Sequence, residues 1–317
     1  MRILITGATG FVGTHLRHYL LNHTDWDIVG TCYPDAPPPP LDPKREHLLP
    51  LDLRDKNATN TTLADYPPDY VIHLAAQSHV PTAYKDPWGT LDNNIRGQLN
   101  LLEGCITLNL KPHILIIGSG EEYGRADAAE LPLVETHPLR PENPYSVSKV
   151  AQDVMGYQYF ISYDLPVTRA RPFNHVGPGQ SPRFVLAAFA SQVARIETGQ
   201  QDPVMRVGNL EPARDFTDVR DVVKAYRSMM LDGEPGEVYN VCSGEAIAVR
   251  DLAEALIELS TIEQELVTDP ELMRPVDIPV LLGDSERLRR ATGWKPEVPL
   301  PKTLSDLLDD MRSRVAD

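Results

Sequence analysis

In the stretch NPYSVSK (143–149), Tyr145 and Lys149 stand four residues apart at the start of a segment with helical periodicity. That spacing puts both side chains on one face of a helix. A tyrosine titrating near its usual value of about 10 neither gives nor takes a proton readily at neutral pH. A neighbouring ammonium stabilises the phenolate, and the same ammonium can hold a ribose. Taken alone, the spacing describes an exposed pair on a helix as well as a catalytic one. Ser119 changes the balance. It ends the apolar run HILIIGSG (113–120), at the strand edge where doubly wound sheets take their ligands. Its hydroxyl there can hydrogen bond a carbonyl that Tyr145 protonates. Glu121 and Glu122 follow directly and raise the question of a carboxylate acid/base pair. On a short loop adjacent side chains diverge, so Glu121 is expected to orient a substrate hydroxyl and Glu122 to be structural.

These residues need a scaffold, and the pattern supplies one. RILITGA, DIVGTCY, DYVIHLAAQ and HILIIGSG are short apolar runs separated by segments of helical period. Continuous rather than alternating apolar character implies strands covered on both faces, hence a parallel sheet between helix layers. The expected fold is α/β, a Rossmann-type doubly wound sheet with a smaller C-terminal α/β domain built from separated segments. Residues 1–170, joined by about 214–240, are expected to form the dinucleotide-binding domain. Residues 171–213 and 241–317 are expected to form the second. A single helix is predicted over 88–106 and another over 146–163. The proline run DAPPPPLDP (35–43) can be neither a central strand nor a helix interior, and reads as an excursion after the second strand.

TGATGFVG follows the first strand and opens the first helix, spacing Gly7, Gly10 and Gly13 by three. Such glycines permit a tight turn, close approach to a pyrophosphate and close helix–strand packing, with Phe11 and Val12 at the helix start. Asp52, in LDLRD (51–55), falls near an adenine or caps a helix. The end of the second strand reports the dinucleotide, because an acid there accepts from a ribose 2′-hydroxyl and an arginine holds a 2′-phosphate. Thr31, Cys32 and Tyr33 occupy it, with neither group present. NADPH is the expected cofactor, with NADH also open.

A formal net charge of −15 over 317 residues opposes a nucleic-acid partner. No stretch reaches the roughly 18 apolar residues of a membrane span. The start MRILITGATG has no secretory pattern. Three scattered cysteines suit neither a disulfide framework nor a zinc site, so a cytoplasmic location is the expectation. His15, His18 and His23 read as a solvated helix face, and no metal is expected.

The glycine triplet, HLAAQSHV, Asn94 in NNIRG, Ser119 four before Tyr123, and PYSVSK together resemble the extended short-chain dehydrogenase/reductases that act on nucleotide sugars. The resemblance covers essentially the whole chain. It implies that Ser119, Tyr145 and Lys149 are the catalytic set. It places Gly7, Gly10, Phe11, Val12, Gly13, Thr31, Asp52, Leu53, Leu74, Ala75, Ala76 and Asn94 on the cofactor, with His175 near the nicotinamide half. RPFNHVGPGQSPRFV, VGNLEPARDFTDVRDVV and RPVDIPVLLGDSERLRRATGWKP are similar to segments of the GDP-4-keto-6-deoxy-D-mannose reductases and of the related GDP-mannose 4,6-dehydratases. Carried over, Asn174, Val185, Asn209, Arg214, Arg274 and Asp277 would contact the nucleotide diphosphate sugar, together with Ser119, Gly120 and Glu121. Arginines suit a pyrophosphate. Ala188 departs from the dehydratases of the group, which carry a lysine near the base at that place.

A 4,6-dehydratase needs groups that remove a proton from carbon 5 and protonate the hydroxyl leaving carbon 6. Related dehydratases place aspartate or a hydroxyl residue, then glutamate, directly after the Ser/Thr. This chain has Gly120 and then Glu121. Glycine can relay no proton, so the resemblance implies reduction of a GDP-linked 4-keto-6-deoxy sugar rather than elimination. A 4-epimerase holding its NAD tightly, and a non-catalytic dinucleotide sensor, are the other readings. Apolar residues on more than one face of the helices at 88–106 and 146–163 suggest a homodimer through a four-helix contact.

Overall fold

The computed structural model describes residues 1–33, 38–273 and 277–316. The first residues of the proline-rich excursion and the candidate ligand Arg274 lie outside that set. The first half runs β1 (Arg2–Thr6), α1 (Phe11–His23), β2 (Asp27–Cys32), β3 (Glu46–Pro50), α2 (Lys56–Asp65), β4 (Tyr70–His73), α3 (Val80–Lys85), α4 (Pro87–Leu91), α5 (Gly97–Thr107) and β5 (His113–Ile117). It continues through α6 (Pro144–Tyr163) and β6 (Val167–Pro172). Five of these strands with β6 and a later one, β10, form a seven-stranded sheet in the order β10-β6-β5-β4-β1-β2-β3. Every pairing in it is parallel, with Leu4 of β1 opposite Val29 of β2 and Val71 of β4. Strands β1, β2, β4 and β5 are the apolar runs of the sequence, and nearly all their side chains are buried, whereas the edge strand β3 is partly exposed.

After β6 come β7 (Asn174–Val176), α7 (Val185–Glu197), β8 (Val204–Val207), β9 (Ala213–Asp218), α8 (Val219–Asp232), β10 (Val238–Val241), β11 (Ala246–Ala248), α9 (Val249–Glu258), β12 (Glu265–Thr268), β13 (Val280–Leu281), α10 (Glu286–Thr292) and α11 (Leu300–Ala316). Strand β10 completes the large sheet, and α8 packs its buried face into the same core as α1. Strands β11, β9 and β13, with β7 against β9, make a second, smaller sheet, and β12 pairs with β8. Helices α7, α9 and α11 enclose a separate apolar core with Phe189, Met205, Leu252 and Leu307 at its centre. A cleft opens between the two cores, at the C-terminal edge of the large sheet.

Two expected helices differ in detail. The 88–106 segment is not continuous, because a π-helical turn, Asp92–Arg96, interrupts it between α4 and α5. Asn94 sits in that turn, fully buried, and its amide is spent on the backbone of Gln77 and the hydroxyl of Ser148. Helix α6 starts earlier than Ser146, since Asn143 caps it by accepting from the N–H of Ser146 at 2.9 Å and Pro144 fits the first turn.

Candidate functional site

The turn between β1 and α1 is built on glycine. Gly7 has φ +69°, and a Cβ there would stand 2.9 Å from the backbone nitrogen of Ala75. A Cβ on Gly13 would collide with the carbonyl oxygen of Gly7. Helix α1 therefore begins tight against the sheet, and Gly10 at its N-cap offers no side chain to its first amides. Those free N–H groups and the helix dipole form an anion site. Gly7, Gly10, Leu74 and Ala76 line both cavities that meet here, so the cavities form one groove.

The catalytic candidates come together at one end of that groove. Lys149 and Tyr145 project from the first turns of α6, with Lys149 Nζ 5.9 Å from the centre of the Tyr145 ring. Ser119 follows β5 and lines the cleft together with Tyr145, whose phenolate its side chain favours. Its Oγ also accepts the N–H of Glu121 at 3.2 Å. Lys149 Nζ donates to the carbonyl oxygen of Ile117 at 2.7 Å, beneath the floor of the cleft. Burial pushes the Lys149 ammonium down to about 8, with the Glu122 carboxylate opposing the shift. Burial pushes the Tyr145 phenol up, the charge of Glu121 adds to that, and the hydrogen bond from Ser119 pulls the other way. Lys149, expected to lower the phenol, turns its Nζ to Ile117, and burial dominates the Tyr145 shift.

Gly120, Glu121, Asn174, His175 and Val185 line the same end, with Phe11, Val12 and Gly13. Glu121 accepts from the amide of Asn143 at 2.9 Å. His175 lies 6.1 Å from Phe11, stacked ring to ring, and burial lowers its pKa. A Cβ on Gly120 would meet the Phe173 ring at 2.9 Å, so the ring fills the space of a side chain at position 120. Glu122 turns away and is fully buried, as the sequence reading expected of a residue pointing elsewhere.

Thr31, Asp52, Leu53 and Ala75 line the other end. The N-cap of α2 is Asp55, not Asp52. Asp52 instead pairs with Arg54 at 2.7 Å, and Arg54 also donates to the Tyr33 hydroxyl at 3.0 Å. An arginine thus does reach the end of β2. The sequence reading missed it because Arg54 arrives from the loop after β3, not from the end of β2. Arg183 was also missed. From the loop before α7 it lines the cleft and reaches across to Thr82 and His79, at 2.8 and 3.1 Å.

Four candidates take other places. Asn94 is absent from the lining of either cavity, its amide being used internally as described. Asn209, Arg214 and Asp277 gather into one cluster, Asn209 3.2 Å and Arg214 3.8 Å from the Asp277 carboxylate, outside the lining of the cleft. Arg214 also donates to the Ile278 carbonyl at 2.6 Å. Of the histidines on α1, His15 leaves the solvated face and bonds the Pro178 carbonyl oxygen at 2.7 Å. Among the described residues no group of three His, Cys, Asp or Glu is placed to hold a metal, and no helix is long and apolar enough to cross a membrane.

The GDP-mannose 4,6-dehydratase family profile matches residues 4–307. The chain belongs to that family. Within it, the GDP-6-deoxy-D-mannose reductase of Pseudomonas aeruginosa is 41% identical over 315 residues, covering 99% of this chain and 98% of the relative. The GDP-mannose 4,6-dehydratase of Vibrio cholerae is 27% identical, over 96% of this chain and 92% of its own. The structure of RMD from Pseudomonas aeruginosa complexed with NADPH superposes with a TM-score of 0.88, at 40% identity and 99% coverage of both chains. The chain thus resembles both reductases and dehydratases, and the chemistry of the cleft has to distinguish them.

Proposed function

We propose that this protein uses NADPH to reduce the carbon-4 ketone of GDP-4-keto-6-deoxy-D-mannose, giving GDP-D-rhamnose. The observation that carries the reading is the meeting of Ser119, Tyr145 and Lys149 on a floor where position 120 is glycine under the Phe173 ring. The residues present fit a dinucleotide, since the uncapped start of α1 offers N–H groups for a pyrophosphate and Arg54 offers a cation at the ribose end. When bound, the reduced nicotinamide supplies the hydride that carbon 4 receives. Ser119 holds the ketone oxygen by hydrogen bonding, and Tyr145 gives that oxygen its proton. Lys149, as an ammonium, favours the phenolate that remains and offers donors to a ribose. Glu121, braced by Asn143, is suited to a sugar hydroxyl. Orientation of both reactants contributes much of the rate.

No side chain at position 120 can protonate a hydroxyl leaving carbon 6, so the elimination of a dehydratase lacks a partner there. The 41% identity to a reductase, against 27% to a dehydratase, supports the same choice. The test is to supply the purified protein with GDP-4-keto-6-deoxy-D-mannose and NADPH and identify the sugar by NMR. One NADPH consumed per GDP-D-rhamnose formed is expected. Dehydration of GDP-mannose with no net cofactor turnover would replace the reading with a dehydratase.

A homodimer through α5 and α6 is part of the proposal. Val147, Val154, Tyr157 and Ile161 form an exposed apolar stripe along α6, with Leu99 exposed on α5. Sedimentation at twice the chain mass is expected, and a monomer at micromolar concentration would remove this part.

A further inference from the structure

The turn after Ser119 carries a carboxyl group that the reaction outlined above does not use. Glu122 is fully buried beneath the floor of the cleft. Its Oε1 accepts the backbone N–H of Ser119 at 2.7 Å. Its Oε2 has no hydrogen-bond partner and lies 3.4 Å from Nε of Arg171. Room for this carboxyl exists because residue 118 is glycine, where a Cβ would collide with Oε1.

Burying a carboxyl group is costly, and a fold that needed only bulk here would be served by an apolar side chain. Arg171 does not require it either. Its Nε is already paired with Asp153 at 2.9 Å, and its Nη1 donates to the Tyr123 hydroxyl and the Glu135 carbonyl oxygen, each at 3.0 Å. The shorter contact of Glu122 is with Ser119, whose side chain is held in turn by the N–H of Glu121. Main chain and hydroxyl of Ser119 are therefore fixed by two consecutive residues of one turn.

We propose that Glu122 is a positioning residue for the reduction: its carboxyl oxygen, in the space left by Gly118, holds the Ser119 main chain so that the hydroxyl meets the Tyr145 phenol. The inference rests on the reductase reading. Burial pushes the Glu122 carboxyl well above the usual carboxylate range, Asp153 adds to this, and Arg171 and Lys149 oppose it. The oxygen that receives the Ser119 N–H accepts equally in the neutral acid, and an amide oxygen has the same capacity. Reach, rather than charge, is what the position requires.

Two substitutions separate these properties. Glu122→Gln keeps the reach and discards the ionisable group; Glu122→Asp keeps a carboxyl group and is one methylene short. Glu122→Asp is expected to lower kcat about tenfold with KM nearly unchanged, because the misplacement is felt at the transition state. Glu122→Gln is expected to recover most of the wild-type kcat. In a Ser119→Ala background Glu122→Asp should cost nothing further, since the group it positions is gone. Equilibrium binding of NADPH, followed by fluorescence, should be unchanged in both single variants. A Glu122→Asp enzyme as fast as wild type, a Glu122→Gln enzyme as slow as Glu122→Asp, or a full additive loss in the Ser119→Ala background would each overturn the inference. A wild-type enzyme that binds NADPH yet reduces no 4-keto sugar would instead overturn the reductase reading, and this inference with it.

Discussion

Lys149 and Arg54 sit at opposite ends of one groove, and each is a cation near an acid. Lys149 is 4% exposed, and burial has drawn its ammonium down to about 8. Arg54 and Asp52 leave 33% and 30% of their side chains in solvent, and each holds the other charged, Asp52 below its ordinary range and Arg54 above. Removal of water thus makes the Lys149 end tunable by its neighbours, while the Arg54 end keeps a solvent-exposed pair of opposite charges. On the proposed reading, one end moves protons and the other reads phosphate.

If this contrast is right, substitutions at the two ends should differ in kind. The largest loss, short of removing the phenol, is expected from Lys149→Met, with kcat about a thousandfold lower and NADPH binding only modestly weaker. Equal losses in binding and in kcat would erase the contrast. Ser119→Ala should come next, at about a hundredfold in kcat, the order observed when one donor to a developing oxyanion is removed. Its KM separates lost grip on the ground state from lost grip on the transition state.

A pH titration sharpens the difference. Lys149 is an ammonium below its depressed value of about 8 and neutral above it. The share of kcat that depends on the ammonium should therefore be present below pH 8 and lost as pH rises through that value. A kcat that stays level to pH 10 would contradict the assignment. The smallest effect belongs to the exposed end. Arg54→Ala should weaken NADPH binding about fivefold, leave NADH unchanged, and matter less at high salt. Calorimetric titration with both cofactors reads it directly.

The legible parts of the molecule were those encoded locally. Tyr145 and Lys149 share a face because a helix repeats, and Gly7 and Gly13 are demanded by one turn. Arg54 was not legible, because its approach to Tyr33 depends on β2 and β3 pairing with Cys32 opposite Pro50, a register that no local pattern specifies. The partners of Asn94 were illegible for the same reason. Its amide serves Gln77 and Ser148, partners far away in sequence, and so ties the π-helical turn to both. The purpose of Gly118 and Gly120 also became visible only with Glu122 and Phe173 beside them.

The central claim is that the Tyr145 phenol delivers the proton to the ketone oxygen. Single-turnover reduction of GDP-4-keto-6-deoxy-D-mannose by Tyr145→Phe, with NADPH binding measured in parallel, tests it most directly. The account predicts NADPH affinity close to wild type and a reduction rate lower by about three orders of magnitude. Reduction at the wild-type rate would contradict it.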